Sequence, residues 1–199
     1  MNVEVALFDG VEALDALGPA EVLAYGRDAG ADVDVTLTTL DGERTVPTSH
    51  GIGVEAVGTL GETDPDLVVM PGGGWNARRE AGTWAEAERG DLPERLAALH
   101  ADGVTLAAVC TGGMLLSRAG LLEGRPAVTH HGASDDLRET AAEVVDARVV
   151  DDGDVLTAGG ITSGLDLGLY LLEREFGEGV AAAAAEQMEY ARRGEIHVA

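Results

Sequence analysis

The chain has 199 residues, of which 45% are apolar, so it can bury one hydrophobic core but is short for two domains. Its 13 basic and 36 acidic residues give a formal net charge of −23, which argues against binding to nucleic acid or to anionic membranes. A single cysteine excludes an internal disulfide. We therefore expect one domain over residues 1–199.

The start of the chain, MNVEVALFDG, has an acid at Glu4 and no basic segment followed by a long apolar stretch. No later segment approaches the ~18 apolar residues of a membrane helix. These features predict a cytoplasmic protein that does not enter membranes. The acids are spread along the whole chain, which favours adaptation to concentrated salt over an acidic interaction tail. An ordinary acidic mesophilic protein is the alternative.

Strands and helices are predicted to alternate along the chain. The predicted strands cover residues 3–8, 33–40, 67–70, 104–109, 148–150 and 155–157. The predicted helices cover residues 20–29, 92–100, 114–119, 163–176 and 180–192, and residues 195–199 are expected to form a mobile tail. The alternation predicts an α/β fold in which a mostly parallel sheet is sandwiched between helices.

Cys110 directly follows the apolar run that ends at Val109, and Thr111 and two glycines come next. A thiol between a buried strand and the first turn of a helix is typical of a nucleophile elbow. The positive end of the helix dipole would lower the pKa of the thiol and make thiolate available. The alternative is that Cys110 is a small buried hydrophobic residue, the commoner fate of a single cysteine.

A second glycine-rich segment, Pro71-Gly72-Gly73-Gly74, follows the buried strand at residues 67–70. Parallel strands end at one edge of a sheet, so this loop and the cysteine should open on the same edge. Gly72, Gly73 and Gly74 would leave backbone N–H groups free, and with the N–H of Thr111 they would form an oxyanion hole. A plain strand-to-loop turn is the alternative. The segment lacks a dinucleotide fingerprint, and the chain has no lysine for a P-loop.

These segments resemble the ThiJ/PfpI superfamily, which is related to class I glutamine amidotransferases, over nearly the whole chain. The resemblance rests on the following segments: Asp15-Ala16-Leu17-Gly18-Pro19-Ala20-Glu21-Val22-Leu23, Pro71-Gly72-Gly73, Val109-Cys110-Thr111-Gly112, Ala119-Gly120-Leu121-Leu122-Glu123-Gly124, Thr129-His130 and Leu156-Thr157-Ala158-Gly159-Gly160-Ile161-Thr162-Ser163-Gly164-Leu165-Asp166. It implies a flavodoxin-like, glutamine amidotransferase-like fold, a small-molecule substrate, no cofactor and a homodimer.

Within the superfamily the pattern is most similar to the isocyanide hydratase branch, which has an Asp before x-x-Gly-Pro and a Cys-Thr-Gly elbow. The resemblance implies that Cys110 is the nucleophile, that Asp15 moves protons, and that Thr111 hydrogen-bonds Asp15 while lending its N–H to the substrate. A structural alternative for Asp15 is capping of the helix after Pro19. The resemblance also implies a substrate-binding set: Gly72, Gly73, His130 and Ile161.

Three functions remain open on this resemblance. The first is hydration of an isocyanide to an N-formamide through a covalent Cys110 intermediate. The second is glyoxalase III or deglycase chemistry on reactive carbonyls, although the acid of those branches is usually Glu and not Asp. The third is ligand or redox sensing without catalysis. Leu17 and His131 stand where the hydratase branch typically has Thr and a large aromatic residue, so the substrate pocket is expected to differ.

The adjacent histidines, His130 and His131, do not predict a metal site. Neighbouring residues on a strand point to opposite faces, and the remaining histidines are dispersed along the chain. His130 is therefore assigned to the substrate pocket by the resemblance alone, and His131 to the pocket lining or the surface.

We expect the protein to lose stability when it is moved from molar KCl into dilute buffer. Repulsion among the acidic residues is screened over ~3 Å at 1 M salt but extends over ~30 Å at 0.01 M. Thermal unfolding followed by circular dichroism in the two buffers measures the difference. Equal melting temperatures would contradict the adaptation to salt.

Overall fold

Strands and helices alternate along all 199 residues of the computed structural model. The strands are β1 (Asn2–Ala6), β2 (Asp34–Thr39), β3 (Arg44–Pro47), β4 (Gly53–Ala56), β5 (Gly58–Thr59), β6 (Leu67–Met70), β7 (Thr105–Val109), β8 (Pro126–Ala127), β9 (Glu143–Val144), β10 (Val149–Asp151), β11 (Val155–Ala158) and β12 (Ile196–Val198). The helices are α1 (Ala13–Asp28), α2 (Thr83–Arg89), α3 (Asp91–Ala101), α4 (Gly112–Arg118), α5 (Ser134–Arg138), α6 (Ser163–Phe176) and α7 (Glu178–Gln187). None of these helices combines the length and the apolar character needed to cross a bilayer.

Eight strands form one sheet in the order β12-β10-β11-β7-β6-β1-β2-β5. Every neighbouring pair in this sheet is parallel except β10 and β11. β3 and β4 form a separate antiparallel hairpin, and β8 and β9 form a small parallel pair. The predicted α/β fold with a mostly parallel sheet flanked by helices is confirmed.

Four adjacent parallel strands, β1, β6, β7 and β11, form the centre of the sheet. The last residue of β6, Met70, pairs with Ala108 near the end of β7, and Ala158 at the end of β11 pairs with Val109. The segments that follow these strands therefore leave the sheet at one edge, as predicted for the two glycine-rich loops.

Helix α1 begins at Ala13, well before the predicted start at residue 20. The sequence Gly18-Pro19 predicts a helix boundary, but both residues lie buried inside α1. A Cβ atom at Gly164 of α6 would lie 3.0 Å from the Pro19 ring, so the two helices touch at this point. Tertiary packing thus overrides the local boundary signal, and Asp15 falls in the first turn of the helix.

The C-terminal residues 195–199, predicted to form a mobile tail, contain strand β12, which pairs in parallel with β10. Their backbone bonds extend beyond the strand, since the Ala199 N–H donates to the carbonyl oxygen of Asp151 at 3.0 Å. The final helix ends at Gln187 and not at residue 192. A strand of three residues at the sheet edge is too short to leave a periodic pattern in the sequence.

Helices α1 and α6 pack closely because glycine occupies the contact. A Cβ atom at Gly168 would lie 2.8 Å from the Cβ atom of Val22 and 3.3 Å from the Cα atom of Pro19. Neither atom belongs to the flexible end of a side chain. An alanine at this position must therefore push the helices apart.

Gly168→Ala is expected to destabilise the protein by ~1–3 kcal/mol, because overpacking outweighs the helix propensity of alanine. The matched control is Gly179→Ala in α7, where an added Cβ would meet nothing within 4 Å. That variant should be neutral or stabilised by up to ~1 kcal/mol. Urea denaturation of both variants measures the difference. Equal effects would contradict close packing at Gly168.

Candidate active site

Cys110 lies at the turn between β7 and α4, with a φ of 58°. This left-handed conformation costs a non-glycine residue ~1–2 kcal/mol, so the surrounding contacts must hold it in place. The Cys110 N–H donates to the carbonyl oxygens of Ala158 at 3.1 Å and Gly159 at 2.9 Å. Its own carbonyl oxygen accepts a hydrogen bond from the Thr129 hydroxyl at 2.8 Å. These bonds fix the thiol at the carboxyl end of β7.

The glycine at position 112 lets the elbow approach the end of β6. A Cβ atom at Gly112 would lie 2.1 Å from the carbonyl oxygen of Met70, which leaves no room for any side chain. The glycine-rich loop after β6 is therefore held directly against the first turn of α4.

Asp15 is fully buried and points from the first turn of α1 toward this junction. Its Oδ2 atom accepts a hydrogen bond from the Gly72 N–H at 3.0 Å, and its Oδ1 atom has no hydrogen-bond partner. The thiol of Cys110 lies within interaction range of this carboxyl group. Because Asp15 bonds to another segment and not to its own helix, it does not act as a helix cap.

Burial raises the pKa of Asp15 to about 7, against the opposing effects of the Cys110 thiol and the Gly72 N–H. Burial and the negative charge of Asp15 raise the pKa of Cys110 to about 12. The prediction that the helix dipole would lower the thiol pKa is therefore wrong. Helix α4 is only seven residues long, and the loss of water around the sulfur outweighs its dipole.

The hydroxyl of Thr111 lies in a network that excludes the predicted bond to Asp15. It accepts a hydrogen bond from the Gly73 N–H at 2.9 Å and lies 3.0 Å from the Thr83 hydroxyl. The Thr83 hydroxyl also donates to the Gly73 carbonyl oxygen at 2.8 Å. Of the three glycines predicted to have free N–H groups, Gly72 and Gly73 use theirs within the protein, whereas Gly74 lines the cavity.

The backbone N–H groups of Ile161 and Thr111 favour the ionised form of the Cys110 thiol, which lowers the thiol pKa against the larger effect of burial. Ile161 has a φ of 40°, a rare conformation for a β-branched residue. These two N–H groups belong to the elbow and to the turn after β11.

A cavity of about 210 Å³ opens above the thiol. Its wall includes five of the predicted site residues, Gly73, Cys110, Thr111, His130 and Ile161. Gly72 lies beneath it, bonded to Asp15. A larger cavity of about 390 Å³ shares Trp75 with this one but contains neither Cys110 nor His130. The smaller cavity is the candidate active site, and its volume suits a small substrate.

The sequence profile of the DJ-1/PfpI family matches residues 1–174. The chain belongs to the DJ-1/PfpI family. Isonitrile hydratase of Pseudomonas putida is 34% identical over 194 residues, which cover 96% of this chain and 79% of that protein. A deglycase of Pyrococcus horikoshii is 30% identical over 139 residues, covering 66% of this chain and 74% of that protein. The resemblance drawn from the sequence motifs is confirmed.

The solved structures agree with this DJ-1/PfpI membership. The crystal structure of a ThiJ/PfpI family protein from Pseudomonas syringae superposes with a TM-score of 0.84 at 25% identity, over 96% of this chain and 76% of that one. Drosophila melanogaster DJ-1beta superposes with a TM-score of 0.80 at 23% identity, over 96% of this chain and 98% of that one, and shows the shared fold.

The adjacent histidines of this DJ-1/PfpI protein, His130 and His131, differ in their position relative to the cavity. His130 borders the cavity, and burial, followed by the neighbouring His131, lowers its pKa. Its Nδ1 atom accepts a hydrogen bond from the Gly132 N–H at 3.0 Å, which leaves Nε2 as the ring nitrogen that can carry a proton. His131 is exposed and does not line the cavity.

Four residues near the thiol were not among the predicted site residues. Glu12, Ser49 and His50 line the cavity mouth, where Glu12 Oε2 accepts from the Ser49 hydroxyl at 2.8 Å and lies 3.4 Å from His50 Nδ1. Ser49 and His50 lie in the turn between β3 and β4, far from Cys110 in sequence. The fourth is the buried Thr83. The turn-forming composition around Ser49 was the only available signal.

Asp15→Asn is expected to stabilise the protein at about pH 8 by up to ~4 kcal/mol and to have little effect near pH 4. The folded pKa of about 7 exceeds the ordinary 3.8, so wild-type stability falls as the pH rises between the two values. Near pH 4 the folded carboxyl group is neutral and the unfolded one is only partly ionised, so the amide gains less than ~1 kcal/mol. Urea denaturation of both proteins at the two pH values tests this. If the variant and the wild type differ in unfolding free energy by the same amount at both pH values, the raised pKa of Asp15 is contradicted.

Proposed function

We propose that this DJ-1/PfpI protein is a hydro-lyase that hydrates a small isocyanide to an N-formamide through a covalent intermediate on Cys110. The observation that carries the proposal is the buried carboxyl group of Asp15, which has a pKa of about 7. It lies beside the thiol of Cys110, whose raised pKa keeps the thiol protonated at neutral pH. Such a pair can move one proton between sulfur, carboxylate and substrate without help from solvent.

The first half of the reaction forms a carbon–sulfur bond. The Asp15 carboxylate removes the thiol proton as the Cys110 sulfur attacks the terminal carbon of the isocyanide. Asp15 then gives this proton to the same carbon, which produces a neutral thioimidate. Because Asp15 ionises far more readily than Cys110, the carboxylate is the base in this step.

The second half of the reaction breaks that bond with water. Water adds to the thioimidate carbon, and Asp15 takes one of its protons and passes a proton to the nitrogen. The carbon–sulfur bond breaks as the formamide carbonyl forms, and the leaving thiolate takes up the remaining hydroxyl proton by way of Asp15. The N–H groups of Ile161 and Thr111 face this sulfur and favour its negative charge. The net change is the addition of one water molecule to the isocyanide.

The 34% sequence identity with isonitrile hydratase of Pseudomonas putida, over almost the whole chain, supports this reaction. The Asp at position 15 supports it further, since the deglycase-like branches that the motifs resemble usually have Glu there. Deglycase-type chemistry on a reactive carbonyl is the second candidate. It is favoured by the identity with the deglycase of Pyrococcus horikoshii and by the ring of His130 at the cavity wall.

Purified protein should hydrate a simple alkyl isocyanide, as measured by formation of the N-formamide, and should act poorly on methylglyoxal.

Asp15→Asn keeps the shape of the side chain but loses the acid, so the hydration rate should fall ~100-fold or more. Asp15→Glu should also fall ~100-fold, because one methylene displaces the carboxylate by ~1 Å. Cys110→Ala should abolish turnover while the protein remains folded by circular dichroism.

The hydratase reaction is ruled out if the wild type turns over methylglyoxal but no isocyanide and Asp15→Glu raises that rate. A Cys110→Ala protein that retains more than about a tenth of the wild-type rate would instead remove the cysteine from the mechanism.

A further inference from the structure

Residues 159–162, called here the Ile161 turn, connect β11 to α6 and border the thiol. The Cys110 N–H donates to the carbonyl oxygen of Gly159, and Ile161 lines the same cavity as the sulfur. Ile161 has an unusual φ of 40°, and its N–H favours the ionised form of the neighbouring thiol. A strained turn keeps such a donor in place only if its neighbours hold it.

The hydroxyl of Thr162 shows where this turn is held. Thr162 is the N-cap residue of α6, but its side chain makes no capping bond to the helix. Its Oγ1 atom instead accepts a hydrogen bond from Nη2 of Arg148 at 2.9 Å. The side chain next to Ile161 is therefore attached to a residue outside the turn.

Arg148 is itself fixed from several directions. Its Nε atom donates to Oδ2 of Asp166 at 2.7 Å, and the Asp166 side chain is only 1% exposed. Its backbone carbonyl oxygen accepts from the Gly159 N–H at 3.1 Å. Arg148 therefore contacts both ends of the Ile161 turn, with its backbone at Gly159 and its side chain at Thr162.

The C-terminal segment completes the support. The carboxylate of Asp166 also accepts hydrogen bonds from the Tyr190 hydroxyl at 3.1 Å and the Arg193 N–H at 2.7 Å. A Cβ atom at Gly194 would lie 2.6 Å from the Cβ atom of Arg148, so the chain passes directly over the arginine stem. Arg148 has no room to turn away from Thr162 on this side.

We propose that Arg148, held by Asp166 and the C-terminal segment, is a positioning residue that fixes the Ile161 N–H against the Cys110 sulfur. Arg148 does not line the cavity, so it acts through the turn and not on the substrate. The inference rests on the proposed role of Cys110 as nucleophile, but it does not depend on which substrate the sulfur attacks.

Alkylation by iodoacetamide tests the proposal, because the chain has one cysteine and the rate follows its thiolate fraction. Arg148→Met keeps the stem and removes both side-chain hydrogen bonds. At each pH from about 7 to 9, the alkylation rate of the variant should be about tenfold lower than that of the wild type. This is the effect of losing one hydrogen bond to a charged acceptor. The matched control is Arg174→Met, which breaks a pair with the buried Asp151 away from the cavity and should leave the rate unchanged, since the exposed fractions of the two arginines are similar at 28% and 25%.

A purely structural role for Arg148 gives the opposite result, since a loosened protein exposes the thiol and speeds alkylation. An unchanged or faster rate in folded Arg148→Met overturns the proposal. If that variant does not fold, Thr162→Val removes only the acceptor on the turn and should still slow alkylation several-fold, and an unchanged rate there overturns the proposal equally. Slower alkylation in a protein that hydrates no isocyanide would leave this inference standing while the proposed function fails.

Discussion

The left-handed backbone at Cys110 is held from three sides, and the rest of the site is arranged around it. The end of β11 accepts its N–H, the Thr129 hydroxyl binds its carbonyl oxygen, and Gly112 brings the end of β6 into contact. A residue in this conformation projects its side chain away from both the strand and the helix. The sulfur therefore stands at the edge where four parallel strands end, within reach of groups from each of them.

Main-chain groups do most of the positioning in this site. The N–H of Gly72 orients Asp15, the N–H of Gly73 orients the Thr111 hydroxyl, and two further N–H groups face the sulfur. Backbone donors on a rigid sheet edge need little reorganisation when charge moves during a reaction. The unpartnered Oδ1 atom of Asp15 is the exception, because no donor in the protein binds it.

The sequence predicts the sheet and the elbow well, because apolar runs and glycine punctuation are local signals. β6 and α6 have the bounds predicted for them, and Cys110 lies at the expected turn. The start of α1 before Asp15 could not be predicted from the sequence. Gly18 and Pro19 are buried inside this helix because they pack against α6, which lies far along the chain. The predicted direction of the thiol pKa shift was wrong for a related reason. Burial raises this pKa, and the extent of burial depends on the whole fold and not on a local sequence pattern.

The attachment of the Ile161 turn to the C-terminal segment has a consequence for biosynthesis. Tyr190 and Arg193, which bind Asp166, follow Cys110 in the chain and therefore leave the ribosome after the strands that carry the thiol. These strands can pair on the nascent chain, but the contacts between Arg148, Asp166 and residues 190–194 close only after that later segment has emerged. The turn beside the thiol therefore gains its support later than the thiol gains its place on the sheet.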